Sequence, residues 1–151
     1  MGEQVMEASA RSGASPAEVF AIVADVTCWP SWGIWTAAVV ETPPPDASGV
    51  GAVRALTSRT AGRTTVSRER VTELVPGRLL AYELVSGLPL RHYRSRLELI
   101  PDGEGTLIRW TSRFDRATYG QTWLYRWVFR RFLADAAQRL ARFAEHRHAP
   151  A

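Results

Sequence analysis

The sequence predicts an α+β fold in which a curved, seven-stranded antiparallel sheet wraps a long C-terminal helix, with two short helices after the first strand. Three observations carry this. From residue 35 to 114, apolar and polar side chains alternate with period 2, and short turn signals interrupt the alternation. Sequential strands joined by such short turns pair antiparallel. From about 119 to 146 the period lengthens, and Phe129, Leu133, Ala136, Leu140 and Phe143 fall on one stripe at spacings of three and four. At 1.5 Å per residue that helix runs roughly 40 Å, enough to cross a whole domain. A strongly curved sheet can bury such a stripe, and one that curves without closing leaves a cavity beside the helix.

Each element has a local reason. Gln4–Ser12 alternates and forms the first strand. Ser15 caps the first helix, Pro16 suits its first turn and Glu18 completes a capping box. Val19, Phe20, Ile22 and Val23 supply its apolar face. A second short helix is expected near 30–33, carrying Trp29 and Trp32, with Trp35 just beyond. The next six strands are predicted over 35–41, 51–58, 64–74, 79–85, 91–100 and 106–114. The proline-rich stretch 42–49 is one long connection, too short to link domains. Ala61-Gly62 and Pro76-Gly77 fit hairpin turns, the second with Pro and Gly where a type II turn needs them. Ser86-Gly87 and Asp102-Gly103 close the next two, and Thr118 with Gln121 makes a capping box for the last helix.

Composition narrows the function classes. A chain of 151 residues is expected to be one domain, 1–151, burying roughly 70% of its unfolded surface. Hydrophobic residues at 46% and charged residues at 23% exclude a disordered chain, a coiled coil and a collagen-like fibre. One cysteine, Cys28, excludes an internal disulfide framework and reads as a small buried hydrophobe. The net charge is +4, and all 19 basic residues are arginine, which reads as codon usage. Acidic residues are interleaved with them, and the arginines of the last helix spread around its perimeter, so no nucleic-acid partner is expected. The first ten residues include two acids and no apolar stretch, so no signal peptide is read there; no apolar run spans a membrane. A cytoplasmic protein without stable membrane insertion, monomeric or homodimeric, is expected.

No phosphate-binding glycine loop, metal-ligand cluster or Ser-His-Asp signature is present, so no cofactor and no metal are expected. His92 begins a strand on its exposed face, and His146 and His148 alone would under-ligand a metal.

In sequence order, Ser15-Pro16-Ala17-Glu18-Val19-Phe20, then Asp25 with Trp29-Pro30-Ser31-Trp32, then Gly49-Val50-Gly51-Ala52-Val53-Arg54 mark the first half. Arg68-Glu69-Arg70-Val71, Pro76-Gly77-Arg78-Leu79-Leu80-Ala81-Tyr82 and Gly105-Thr106-Leu107-Ile108-Arg109-Trp110 follow. With these segments the chain resembles the START/Bet v 1-like (SRPBCC, helix-grip) superfamily, and within it the bacterial polyketide cyclase/dehydrase and lipid transport group. The resemblance implies an internal cavity between the sheet and the last helix. It implies no single chemistry, because that superfamily holds carriers, receptors and cyclases alike.

Strand parity names the side chains facing that cavity. Ile108, Trp110, Ser112 and Phe114 share one face, opposite Arg109 and Arg113. Tyr93 sides with Ser95, Leu97 and Leu99, and Tyr82 with Leu80 and Leu84. The expected lining is Trp32, Trp35, Tyr82, Tyr93, Trp110 and Ser112 from sheet and short helix, with Phe129 and Leu133 from the long helix. Plain core packing competes for each aromatic. Trp29 is expected to wedge the short helix onto the sheet, and Trp123 and Trp127 either to gate the cavity or to wedge the last helix. Parity leaves Arg54 open: facing inward it pairs with Glu69 and can hold a ligand carboxylate or enolate, and facing outward the two form an exposed ion pair of little worth.

The leading expectation is a protein that binds a small hydrophobic ligand, polyketide-like, aromatic or lipid-like. The alternative is a polyketide cyclase or dehydratase, with Arg54, Glu69, Tyr82 and Tyr93 as the candidate catalytic residues. A regulatory or interaction protein with a closed cavity is the third.

Overall fold

The computed structural model describes residues 2–60, 62–117 and 120–147. In chain order the elements are β1 (Gln4–Ser12), α1 (Pro16–Ala24), a 3-10 helix (Val26–Ser31), β2 (Trp35–Thr42), β3 (Val53–Thr60), β4 (Arg63–Val75) and β5 (Leu79–Ser86). Then follow β6 (Leu90–Arg91), β7 (Arg94–Asp102), β8 (Gly105–Phe114), β9 (Arg116–Ala117) and α2 (Thr122–Arg147). Seven strands make one antiparallel sheet in the order β1-β8-β7-β5-β4-β3-β2, and β6 pairs with β9 as a short ribbon. The chain therefore leaves one edge of the sheet at β1 and returns at the other edge, β2, by way of α1 and the 3-10 helix.

The capping box of α1 forms as read: Ser15 Oγ accepts from the Glu18 amide at 3.3 Å, and the Glu18 carboxylate accepts from the Ser15 amide at 2.9 Å. The second helix starts earlier than expected, at Val26 rather than near residue 30. Asp25 is the reason, since its carboxylate accepts from the Thr27 amide at 3.1 Å and caps that turn. The Pro76-Gly77 turn closes with the Arg78 amide on the Val75 carbonyl at 3.0 Å, and Gly77 has φ 74°, where a type II turn favours glycine. Gly87 permits a close crossing, because a Cβ there would lie 2.0 Å from the Val66 carbonyl oxygen.

The strand read over 91–100 is broken. His92 adopts φ 55°, so Leu90–Arg91 turns away to pair with β9 and β7 begins at Arg94. The strand read over 51–58 begins at Val53, with Gly51 at φ 94° still in the connection. Register shifts interrupt β2 against β3 and β4 against β5. Such bulges bend and twist a strand, which suits a sheet that wraps a helix.

α2 begins at Thr122, later than the predicted 119, because Gln121 has φ 53° and cannot continue a helix. Ala61, Thr118, Tyr119 and His148, which belong to the predicted turn, capping box, helix start and histidine pair, lie outside the described residues. The buried face of α2 is Leu133, Ala136, Ala137, Leu140, Ala141 and Ala144, with Phe129 and Phe143 only half-buried at its margins. Small side chains let the helix sit close on β1, whose Met6, Ala8 and Ala10 point inward. Ser12 Oγ donates to the Ala141 carbonyl at 2.9 Å and ties the end of β1 to the helix. The outer face of the sheet carries the interleaved charges as ion pairs, among them Arg70–Glu83 at 2.9 Å and Arg96–Glu73 at 3.0 Å. Exposed pairs of this kind contribute at most about 1 kcal/mol each.

Candidate functional site

Where the 3-10 helix meets the concave face of the sheet, aromatic rings fill the space. Trp29 is their centre and has no exposed surface. Its ring centroid lies 5.5 Å from Trp32, 5.0 Å from Trp35, 6.0 Å from Trp110 and 6.5 Å from Tyr82. The tilted and edge-on arrangements are those that aromatic quadrupoles favour. Trp29 Nε1 donates to the Val23 carbonyl at 3.1 Å, which fixes the 3-10 helix to α1. Trp29 is thus the wedge the sequence suggests. Further rings lead outward: Trp35 meets Phe132 of α2 at 5.7 Å, Phe132 meets Phe129 at 6.4 Å, and Phe129 meets Tyr93 at 5.9 Å. Trp35, Phe129 and Phe132 are half-buried, so this end of the cluster opens towards solvent.

One charged pair lies against the rings. Arg54 and Glu69 stand directly opposite each other on β3 and β4. Both are buried, at 3% and 7% exposure, and their side chains meet at 3.1 Å. Arg54 shares the inward face with Ala52 and Leu56, which settles the parity left open by the sequence. Its guanidinium carbon lies 4.8 Å from the Trp29 ring centre and 5.0 Å from that of Tyr82, within cation–π range of both. Glu69 occupies one edge of the guanidinium, while Arg54 Nε and Trp32 Nε1 are buried donors with no hydrogen-bond partner among the described residues. Burial pushes the Glu69 carboxyl above its ordinary range, and the Arg54 charge opposes that rise.

A second polar group sits beyond Tyr82. Tyr93 Oη and Ser112 Oγ lie 3.1 Å apart, Ser95 and Ser112 Oγ lie 2.6 Å apart, and Ser95 Oγ donates to Tyr93 Oη at 3.3 Å. Trp110 Nε1 donates to Tyr82 Oη at 3.2 Å. All five side chains are buried. Burial holds the Tyr82 hydroxyl well above its ordinary value and pushes Tyr93 up to about 12. Both therefore stay protonated at neutral pH and can donate.

An alkaline titration tests this. A group whose pKa is raised on folding stabilises the fold below its unfolded value and loses that contribution as pH climbs through the folded one. The window for Tyr93 runs from about 10 to about 12, and roughly 3 kcal/mol is lost across it. Phenolate absorbance from Tyr82 and Tyr93 is expected to rise only together with unfolding, measured by circular dichroism in the same samples. Ionisation of all tyrosines near pH 10 with the fold intact would contradict the buried network.

Of the residues singled out from sequence, Arg54, Glu69, Tyr82, Trp32, Trp35 and Trp110 gather around Trp29, and Tyr93 with Ser112 stands at the adjoining hydroxyls. Leu133 lies fully buried in the helix core, and Phe129 lines the open end. Ser95 and Phe132 also belong to the cluster; the inward parity of Ser95 and the three-residue step from Phe129 to Phe132 are the signals that mark them. Two expectations are corrected. Trp123 and Trp127 neither gate nor wedge, being 72% and 56% exposed on the outer face of α2. Cys28 is half-buried rather than buried, with Sγ donating to the Ile22 carbonyl at 3.2 Å. His92 is exposed and pairs with Asp115 at 2.8 Å.

The family described as polyketide cyclase / dehydrase and lipid transport matches residues 3–146. No curated protein matches the sequence. Among solved structures, a START superfamily protein from Mycobacterium smegmatis is similar with a TM-score of 0.82 at 16% identity, over 95% of this chain and 98% of that one. The ZhuI aromatase/cyclase from Streptomyces sp. R1128 is similar with a TM-score of 0.81 at 17% identity, over 96% of this chain and 95% of that one. A Thermus thermophilus protein, TTHA0849, follows with a TM-score of 0.73 at 16% identity, over 95% of each chain. At such identities the likeness is one of fold. No helix among the described residues is long and apolar enough to cross a membrane.

Proposed function

Since the chain belongs to the polyketide cyclase/dehydrase and lipid transport family, we propose that it binds a small, flat, largely apolar ligand between the sheet and α2, anchored by an oxygen atom on Arg54. The observation that carries this reading is the state of Arg54. A buried guanidinium is held by one carboxylate and two aromatic faces, yet its Nε–H, like the nearby Trp32 Nε1–H, has no partner among the described residues. Both donors flank Trp29, and a carboxylate, enolate or carbonyl oxygen suits them. The half-buried rings of Trp35, Phe129 and Phe132 give the ligand's apolar body a path and a stacking surface.

Titration with a flat polyphenol, read by tryptophan quenching, tests the reading. Saturable quenching is expected, and Arg54→Met is expected to weaken it at least tenfold, since a hydrogen bond to a charged group contributes about 1.5–3 kcal/mol. Quenching that never saturates, or that is indifferent to Arg54→Met, would sink it.

A second reading, cyclase or dehydratase chemistry, draws on Glu69 and on the aromatase/cyclase among the similar structures. A carboxylate whose proton affinity is raised by burial is a competent base beside a guanidinium. Glu69 takes the proton from a carbon flanked by carbonyls, the electron pair moves onto the enolate oxygen, and Arg54 stabilises that oxygen. The enolate carbon then attacks a second carbonyl of the same chain, the alkoxide that forms takes back the proton held on Glu69, and Tyr82 and Tyr93, held protonated, hydrogen-bond the chain's oxygens as neutral donors. Glu69→Gln is expected to retain binding and lose turnover of a poly-β-ketone.

A further inference from the structure

The start of the last helix carries a local excess of positive charge: the stretch 116–134 holds Arg116, Arg126, Arg130 and Arg131 and no acidic residue. Taken over the whole last helix, the arginines spread around the perimeter. In its first three turns they do not: at 100° per residue, Trp123, Trp127, Arg130 and Arg131 fall within one stripe about 100° wide, while Arg126 turns back onto β1, where its Nε donates to the Val5 carbonyl at 3.3 Å. The structure leaves that stripe uncovered. Trp123 is 72% exposed, Trp127 56%, and Val128 beside them 46%. Arg131 lies over the Trp127 ring at 5.2 Å. Arg126, Arg130 and Arg131 have no ion pair among the described residues, whereas the arginines of the outer sheet face are widely paired.

We propose that this face of α2 docks reversibly on an anionic lipid surface, with Trp123 and Trp127 at headgroup depth and Arg130 and Arg131 against lipid phosphates and carboxylates. The charge argument selects this occupant. An unbalanced cluster of arginines is drawn to an anionic leaflet, and indole rings settle at the boundary between water and acyl chains. A second copy of this chain fits worse, because a two-fold contact sets the same arginines against one another. A single nucleic-acid strand also fits worse, because the hollow beside the rings, lined by Gln4, Gln121, Arg126 and Arg130, is confined to the start of α2 and is too short to track a backbone. The proposal is independent of what the internal site holds.

Vesicle flotation of the full chain tests it, with phosphatidylcholine vesicles compared with vesicles also containing phosphatidylserine. Binding is expected only to the latter, with a blue shift of tryptophan emission, and it is expected to fall away at high salt. Each arginine near an anionic surface is expected to contribute roughly a fivefold factor, so Arg130→Gln with Arg131→Gln should weaken binding about 25-fold. Trp123→Ser with Trp127→Ser should abolish both binding and blue shift. These side chains are exposed, and unchanged thermal melts will show that the variants fold. No flotation with phosphatidylserine vesicles at low salt overturns the proposal, as does flotation that neither pair of substitutions alters. A stable dimer that the tryptophan variant dissociates also overturns it, as does single-stranded nucleic-acid binding lost in the same variants without vesicle binding.

Discussion

Replacing Arg54 with methionine is expected to destabilise the fold by roughly 3–5 kcal/mol at neutral pH, and replacing Glu69 with glutamine by a similar amount. The cause is not the lost attraction between them but the charge left behind in a buried aromatic setting. For a chain of this length such a loss should lower the melting temperature by about 10 °C. The double variant removes both charges, so it is expected to recover much of either loss. The two singles should also differ in acid. With Arg54 gone, Glu69 can escape by taking a proton, and burial already raises its pKa. A carboxyl whose folded pKa lies above its unfolded value stabilises below the unfolded value and loses that as pH rises through the folded one. Arg54→Met is therefore expected to be mildest in acid and to worsen with rising pH. Glu69→Gln strands a guanidinium that cannot release its proton, so its damage should persist across the same range. Melts of the three variants at two pH values check this. Singles that melt like wild type would place the pair in water.

Much of this site is legible because a strand has period 2. Once Thr106 to Phe114 is read as a strand, Trp110 and Ser112 must share a face, and the structure gives both no exposed surface. The same parity places Tyr82, Ser95 and Leu97 correctly. Arg54 resisted because its neighbours Ala52, Leu56 and Ala55 are small or apolar on both sides, and Ala55 is buried as well, so alternation carries no sign there. The missed elements share another cause: single residues whose backbone or side chain overrides the apolar pattern around them. The left-handed backbone at His92 breaks what reads as one strand, and the Asp25 cap moves the short helix forward. Trp123 and Trp127 read as a gate or a wedge because indoles are usually well buried, while Arg130 and Arg131 on the same helical face are the sign that they face outward.

Trp29→Ala is expected to cost about 3–5 kcal/mol, the usual range for removing a fully buried aromatic. The loss has two separable parts. One is the void left among Trp32, Trp35, Tyr82 and Trp110, which these rings can close only partly because strands and the 3-10 helix hold them. The other is the Val23 carbonyl, which loses the indole N–H that donates to it at 3.1 Å. Adding indole to the variant should restore both. At a concentration about a hundredfold above its dissociation constant, a ligand that binds only the folded state returns about 2.7 kcal/mol. Naphthalene has a similar shape but no N–H, so it should fill the void and still leave the carbonyl unpaired, restoring less. Wild type has no such void at Trp29 and should respond to neither compound through this route. Arg54 stacks on the same ring, so in the variant the polyphenol affinity should fall together with stability, and indole should bring back both. If indole restored the melt but not polyphenol binding, the contact of Arg54 with the Trp29 face would matter for the fold and not for the ligand. If indole restored neither, Trp29 would not be the wedge on which the site is built.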